Sequence, residues 1–250
     1  MNFRISPSKA ASALFVGLTA LALMHGASVF VDRVLGHPRA FGLNALFYLS
    51  AEDNVPTLYS SLLMWTIAAV ALAIAAACRE RKITGVVAWS GIALLFVLLG
   101  IDESASLHEH LSEPVRHALG DVGGLLYFAY IVPYGIALAV LTAIYAPFVL
   151  GLPKRTRRKA VIAAILYVTG ALVLEAVGGW HYETMEVRDA PYILMITVEE
   201  LLEIGGLSVF LCAQLEYIVE RLGGGMITVE ASPVAEASCH TAHARASALS

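Results

Sequence analysis

Charge is what this sequence has least of, and where it is missing matters as much as how little there is. Only 14% of the 250 residues are Asp, Glu, Lys or Arg, against about 25% in an ordinary soluble domain. Hydrophobic residues make up 58% and the mean hydropathy is +0.74. That balance excludes a soluble globular protein. With a net charge of −4 and basic residues confined to short runs between apolar segments, no face suits nucleic acid, and no nucleic-acid partner is expected. Cys78, Cys212 and Cys239 are the three cysteines. They lack Cys-x-x-Cys spacing, so neither a disulfide framework nor a thiolate metal site is expected. No internal repeat is visible.

What the sequence does have is long apolar runs. They fall at roughly 10–31, 57–78, 83–101, 124–150, 160–180 and 191–215, each near the 20 residues that cross about 30 Å of hydrocarbon. Backbone groups in lipid must be bonded within their own segment, which forces helices and excludes an open sheet. The expected fold is all-α: a polytopic transmembrane helical bundle of six membrane-spanning helices over residues 1–221, with the bilayer as its partner. Gly223-Gly224-Gly225 then breaks the pattern, and 222–250, rich in Ala, Ser and Thr, reads as a disordered cytoplasmic tail.

Arg4 and Lys9 precede the first run, Arg79, Arg81 and Lys82 join the second to the third, and five basic residues between Lys154 and Lys159 join the fourth to the fifth. By the positive-inside rule these ends are cytoplasmic, giving an N-in/C-in topology. In a bacterial-type inner membrane the loops around 32–56, 102–123 and 181–190 then face the periplasm. Arg4 and Lys9 before a run that ends near Met24-His25-Gly26-Ala27 also fit a cleaved leader, which would leave five helices in the same orientation.

Acids and histidines gather at the outer ends of these runs and inside them. The third helix is expected to continue past Ile101 as far as Pro114, which puts Glu103 and His110 two turns apart on one face, with Asp102 and Glu109 on the adjacent stripe and His108 at the same end. Glu175 lies among Ala171 and Gly179, small residues that let helices approach closely. Glu199, Glu200 and Glu203 fall within an arc of about 100° on the last helix, well below its outer end. Each ionised carboxylate at that depth costs roughly 2.5–3.5 kcal/mol if unpaired. None of the six runs contains Lys or Arg, so the countercharge is a proton, a bound cation, or one of Arg33, Arg39, Arg116 and Arg188 reaching in from a loop.

Protons alone do not explain the imidazoles. Histidine with carboxylate is the ligand set of zinc, iron or manganese, so Glu103, His108, His110, Glu175, His181, Glu199 and Glu203 are read as ligands of a divalent or transition metal ion. Asp102 and Glu200 are read as second-sphere acceptors or a general base in catalysis. His25, mid-helix with no acid nearby, reads as a satisfied core residue. Glu52 and Asp53 precede Asn54 and Pro56 and read first as part of a helix cap, though their helix starts on the same outer side as the acids. Tyr127, Tyr130 and Tyr134 form one stripe, fitting either an interfacial belt or hydroxyls that reach the carboxylates, with Pro133 kinking the helix between them.

Several known sites are excluded. Glu-x-x-His pairs of di-iron bundles and His-Glu-x-x-His are absent, and Ile204 stands where Glu-Glu-x-x-x-Arg of intramembrane CAAX-type proteases has its arginine. Glu52-Asp53-Asn54 before Tyr59-Ser60-Ser61, followed on the next helix by acid and His, resembles the start of the alkaline ceramidase family, which are polytopic zinc amidases. The likeness spans about a fifth of the chain, and the family's paired histidines on its last helix are replaced here by Glu199–Glu203. The function expected is a metal-dependent membrane enzyme acting on a lipid-borne substrate. The alternatives are a proton- or cation-linked transporter and a structural membrane subunit.

Overall fold

Three helix starts are set by local chemistry. Ser6 accepts from Lys9 N ahead of Pro7, Asn54 Oδ1 accepts from Thr57 N at 3.1 Å ahead of Pro56, and Asp189 Oδ1 accepts from Tyr192 N at 2.9 Å ahead of Pro191. Each pairs a side-chain cap with a proline in the first turn, where its missing N–H is not needed. A computed structural model of the chain describes residues 2–3, 6–185, 189–223 and 227–228. Its helices are α1 (Pro7–Arg33), α2 (Leu43–Phe47), α3 (Val55–Glu80), α4 (Val86–Ala105), α5 (Leu107–Ala118), α6 (Ile131–Leu150), α7 (Lys154–Val168), α8 (Glu175–Met185) and α9 (Ala190–Arg221). A two-residue pairing of Asn2–Phe3 with Ile227–Thr228 is added to them. Most of the tail expected from 222 onward lies outside the described residues.

Five helices are long and apolar enough to cross a membrane: α1, α3, α4, α6 and the α7–α8 unit Lys154–Met185. The chain is a multi-pass membrane protein with a helical bundle. The sixth run is the 32-residue α9, which is not among those five.

Three departures from the expected helices bear on the site. The third run does not continue to Pro114: Ser106 adopts φ 49° and ψ 39°, ending α4 and starting the separate amphipathic α5. No glycine or proline announces that break. Pro133 sits in the first turn of α6, where proline is tolerated, and so does not kink the helix. Finally, Thr169–Leu174 forms a π-turn between α7 and α8, which inserts extra backbone just before Glu175 and resets the direction in which that acid points.

The core lies among α1, α3, α4 and α9. At one end Ile74, Cys78, Trp89 and Tyr217 pack together, and in the middle Met64, Ile67, Ile204 and Leu207 do. The end with Trp89 also carries the basic residues, where Lys159 pairs with Glu216 at 2.6 Å and Arg155 with Glu220 at 3.9 Å. The opposite end carries Glu52, Asp102 and His108; these are called the basic and acidic ends below. The α7–α8 unit meets α9 across glycines: a Cβ on Gly170 would lie 2.6 Å from Glu203 Cγ, and one on Gly206 would lie 2.8 Å from Tyr167 N. α6 stands apart, with none of its described residues buried.

His25 is a buried core residue, 2% exposed. Its Nδ1 accepts from Leu49 N at 3.2 Å and its Nε2 lies 2.9 Å from Thr197 Oγ1. Thr197 already donates its hydroxyl hydrogen to Ile193 O, so the ring supplies the hydrogen of the second bond. His25→Ala strands the buried Leu49 N–H and is expected to cost about 1–3 kcal/mol in unfolding experiments in detergent. Melting of the variant at the wild-type temperature would remove this bond from the account.

Candidate functional site

The gap between α6 and the rest of the bundle is a cavity of about 1570 Å³. Its acidic end is lined by Glu52, Asp102, Glu103, His108, Glu109, Glu175, Glu199, Glu200 and Glu203, and toward the basic end its lining is almost wholly apolar. Of the residues singled out from the sequence, Asp102, Glu103, His108, Glu175, Glu199, Glu200 and Glu203 therefore share one cavity. Glu200 and Glu203 are part-exposed because that cavity lies in front of them.

The acids form two groups. At the mouth, the ligand atoms of Glu52, His108 and Glu109 all lie within 4.8 Å of one another. Glu52 comes from the loop before α3, and the other two from the first turn of α5. His108 Nδ1 is 3.5 Å from Asp102 Oδ2 and His108 Nε2 is 4.0 Å from Glu52 Oε1. Asp102 Oδ1 in turn accepts from the Tyr134 hydroxyl at 2.9 Å. The second oxygen of Glu52, Oε2, is enclosed and meets no donor among the described residues.

Electrostatics at the mouth follow from this crowding. Burial raises the Glu52 carboxyl above its ordinary value, with His108 and Ser106 opposing. For His108, burial works to lower the imidazole, but the hydrogen bond to Asp102 and the charges of Asp102, Glu52 and Glu103 outweigh it and hold the ring above its usual range.

Deeper in, Glu199 is 7% exposed and lines the cavity together with Glu175, Glu203 and Tyr130. No donor among the described residues reaches Glu199 Oε2. Tyr130 links the two groups, because its ring also stands edge-on to His108 at 5.0 Å. The tyrosine stripe thus turns inward at Tyr130 and Tyr134.

His110 and His181 are not brought to this cavity. The break at Ser106 turns His110 aside, and its Nδ1 lies 2.8 Å from Ser106 O. His181 pairs through Nε2 with Asp189 Oδ1 at 2.9 Å and stacks on Tyr192. This serves the start of α9, since the Tyr192 N–H and His181 hold the Asp189 carboxyl below its ordinary value. The residues that sequence reasoning left out of the ligand set are Glu52 and Glu109. The signal for Glu52 was its place two residues before the cap Asn54, at the same end as the acids.

Arg116 is the only arginine or lysine among the described residues that lines the cavity. Its guanidinium donates to Tyr127 O and stacks over the Tyr127 ring at 4.4 Å. Of the other arginines weighed as countercharge, Arg33 lies beside Asp32 and Arg188 is outside the described residues.

A family model with the description "Domain of unknown function (DUF8692)" matches residues 13–217. No curated protein and no solved structure matches the chain.

Proposed function

The chain belongs to that family, and from the geometry of its cavity we propose that it is a metal-dependent membrane enzyme acting on a lipid-borne substrate. The observation that carries this reading is the convergence of Glu52, His108 and Glu109 within 4.8 Å, with the Glu52 Oε2 acceptor left without a donor. One imidazole with carboxylates suits zinc, iron or manganese, and three protein ligands leave positions open for water and substrate. Such an ion lowers the pKa of a bound water or polarises an oxygen of the substrate.

The residues around it have separable parts. His108 offers Nε2 while Nδ1–H points to Asp102, and Asp102 is itself held by Tyr134. A carboxylate behind a ligating histidine fixes its tautomer and strengthens it as a donor. Asp102 is then a positioning residue. Glu103 and Glu200, which line the same cavity, are placed to take a proton.

For topology, we place α9 as a sixth span, both termini on the cytoplasmic side and the cavity mouth on the periplasmic face of an inner membrane. In support, α9 would measure about 48 Å at 1.5 Å per residue and packs along α1, α3 and α7. The basic residues also cluster at one end of the bundle.

The test is elemental analysis of protein purified without chelator. Stoichiometric zinc, iron or manganese is expected, and its absence ends this reading. The pH dependence has a definite sign. A protonated ring cannot ligate, and because His108 is held above the ordinary imidazole value, protons compete with the metal at higher pH than for a free imidazole. Affinity is expected to fall as pH drops from the alkaline side through the imidazole range, starting above the pH at which a free imidazole would begin to compete, with the onset at lower pH in Asp102→Asn, as titration calorimetry would show. Affinity unchanged over that range would take His108 out of the ligand set.

A proton- or cation-linked transporter is the second reading, favoured by Glu175, Glu199, Glu200 and Glu203 lining one cavity deep in the bundle. Ion flux into liposomes that is lost in Glu203→Gln would put it first.

A further inference from the structure

α6 walls a slot and packs no core. Between Tyr134 and Leu150 it lines the cavity with Ala137, Leu138 and Leu141, facing Ala164, Ile165 and Val168 of α7. That length is about 24 Å at 1.5 Å per residue. At about 1570 Å³ the cavity exceeds the roughly 300–1,000 Å³ of an ordinary small-ligand pocket. Water in a slot so lined gains few hydrogen bonds, whereas a hydrocarbon chain fills it. Tyr145 and Phe148 close the slot against α4 at the basic end, so a chain enters from the side or from the mouth.

The head of such a molecule meets the carboxyl groups of Glu175, Glu199 and Glu203. The one lining arginine donates to Tyr127 O and stacks on its ring, with only its Nε lacking an acceptor among the described residues, so carboxylates far outnumber the cationic groups that a phosphate or carboxylate head would need. What the inner group lacks is a donor: Glu199 is 93% buried, the complement of its 7% exposure, and its Oε2 meets none among the described residues. An ammonium carries three N–H donors and the opposite charge. An anionic head would add repulsion to unpaired acceptors.

Building on the enzyme reading above, we propose that the substrate is a long-chain amphiphile whose head bears a protonated amine, with the ammonium on Glu175, Glu199 and Glu203 and the chain in the slot between α6 and α7. The amine is what the acids select, and the slot selects a long chain.

The test uses the full chain in phosphatidylcholine nanodiscs, with spin-labelled stearylamine and stearic acid as probes and metal content measured on the same samples. Stearylamine is expected to bind about tenfold or more tightly than stearic acid, and Glu199→Gln to erase most of that difference. Ala137→Trp and Ala164→Trp replace exposed, slot-facing residues, so they plug the slot without entering the core, and both are expected to lose the immobilised probe. Equal binding of the two probes, or plugged variants that bind as wild type does, overturns the inference. If stearylamine fails to bind while metal is fully present, this inference alone falls. If stearylamine binds to a protein that holds no metal, the enzyme reading alone falls.

Discussion

Replacing His108 with alanine is expected to abolish binding of the proposed metal while the metal-free protein melts close to the metal-free wild type. His108 packs its ring against Tyr130 and beside Asp102, but its helix does not depend on it. It lies in the first turn of α5, and that helix is held elsewhere, by Ser112 Oγ accepting from Ala129 N at 3.0 Å and by Arg116 donating to Tyr127 O. On the proposed reading the imidazole supplies a ligand atom, and it lies beside Glu52 and Glu109. Asp102→Asn removes only the acceptor behind the ring and is expected to weaken metal binding about 10–100-fold; His108→Ala should exceed that. Two control substitutions give the prediction its shape. His110→Ala and His181→Ala should keep the metal, because His110 is turned toward Ser106 O and His181 is paired with Asp189. Metal lost from His110→Ala and kept in His108→Ala would place the site elsewhere.

The largest loss of stability is expected at the glycines between α7 and α9. On Gly206 a Cβ would lie 2.8 Å from Tyr167 N and 2.9 Å from Ala163 O, and on Gly170 it would lie 2.8 Å from Glu199 O. These neighbours are backbone, which cannot swing aside, so any side chain must push one helix off the other. Gly206→Ala is expected to cost about 3 kcal/mol and Gly170→Val more, read as lowered melting temperature and loss of monodisperse protein in detergent. Gly205 is the internal standard: a Cβ there meets nothing within 4 Å. Gly205→Ala should be neutral or gain up to about 1 kcal/mol from helix propensity. If the two adjacent alanine variants melt together, the helices do not meet where the structure puts them. Gly170→Val should also displace Glu203, so its metal content and stability are to be read together.

The long helices were legible because hydrocarbon thickness sets a length that composition reveals directly. That Glu175, Glu199, Glu200 and Glu203 share a cavity followed from the same physics, since carboxylates at that depth have nowhere else to go. The mouth was harder to read. Ser106 enters the left-handed region with no glycine to signal it, and the resulting break separates His110 from Glu103, which the unbroken helix had placed on one face. Glu52 was obscured by a competing explanation: the stretch before α3 is a helix cap, but Asn54 alone does the capping, which frees Glu52 for the cavity. His181 failed for the opposite reason, because its partner Asp189 doubles as the cap of α9 and no pattern in the chain marks that pairing. The π-turn before Glu175 leaves no trace in composition at all.

α6 is pinned at its two ends, by Tyr134 on Asp102 and by Phe148 against Trp89, while its midsection supports no neighbour. Most protein walls double as scaffolding, so altering what they touch risks the whole molecule. This one does not, and its inward residues are free to drift toward bulkier or smaller shapes at little cost to folding. On the proposed reading, the length of guest can thereby be retuned by substitution along α6 without touching the residues at the mouth.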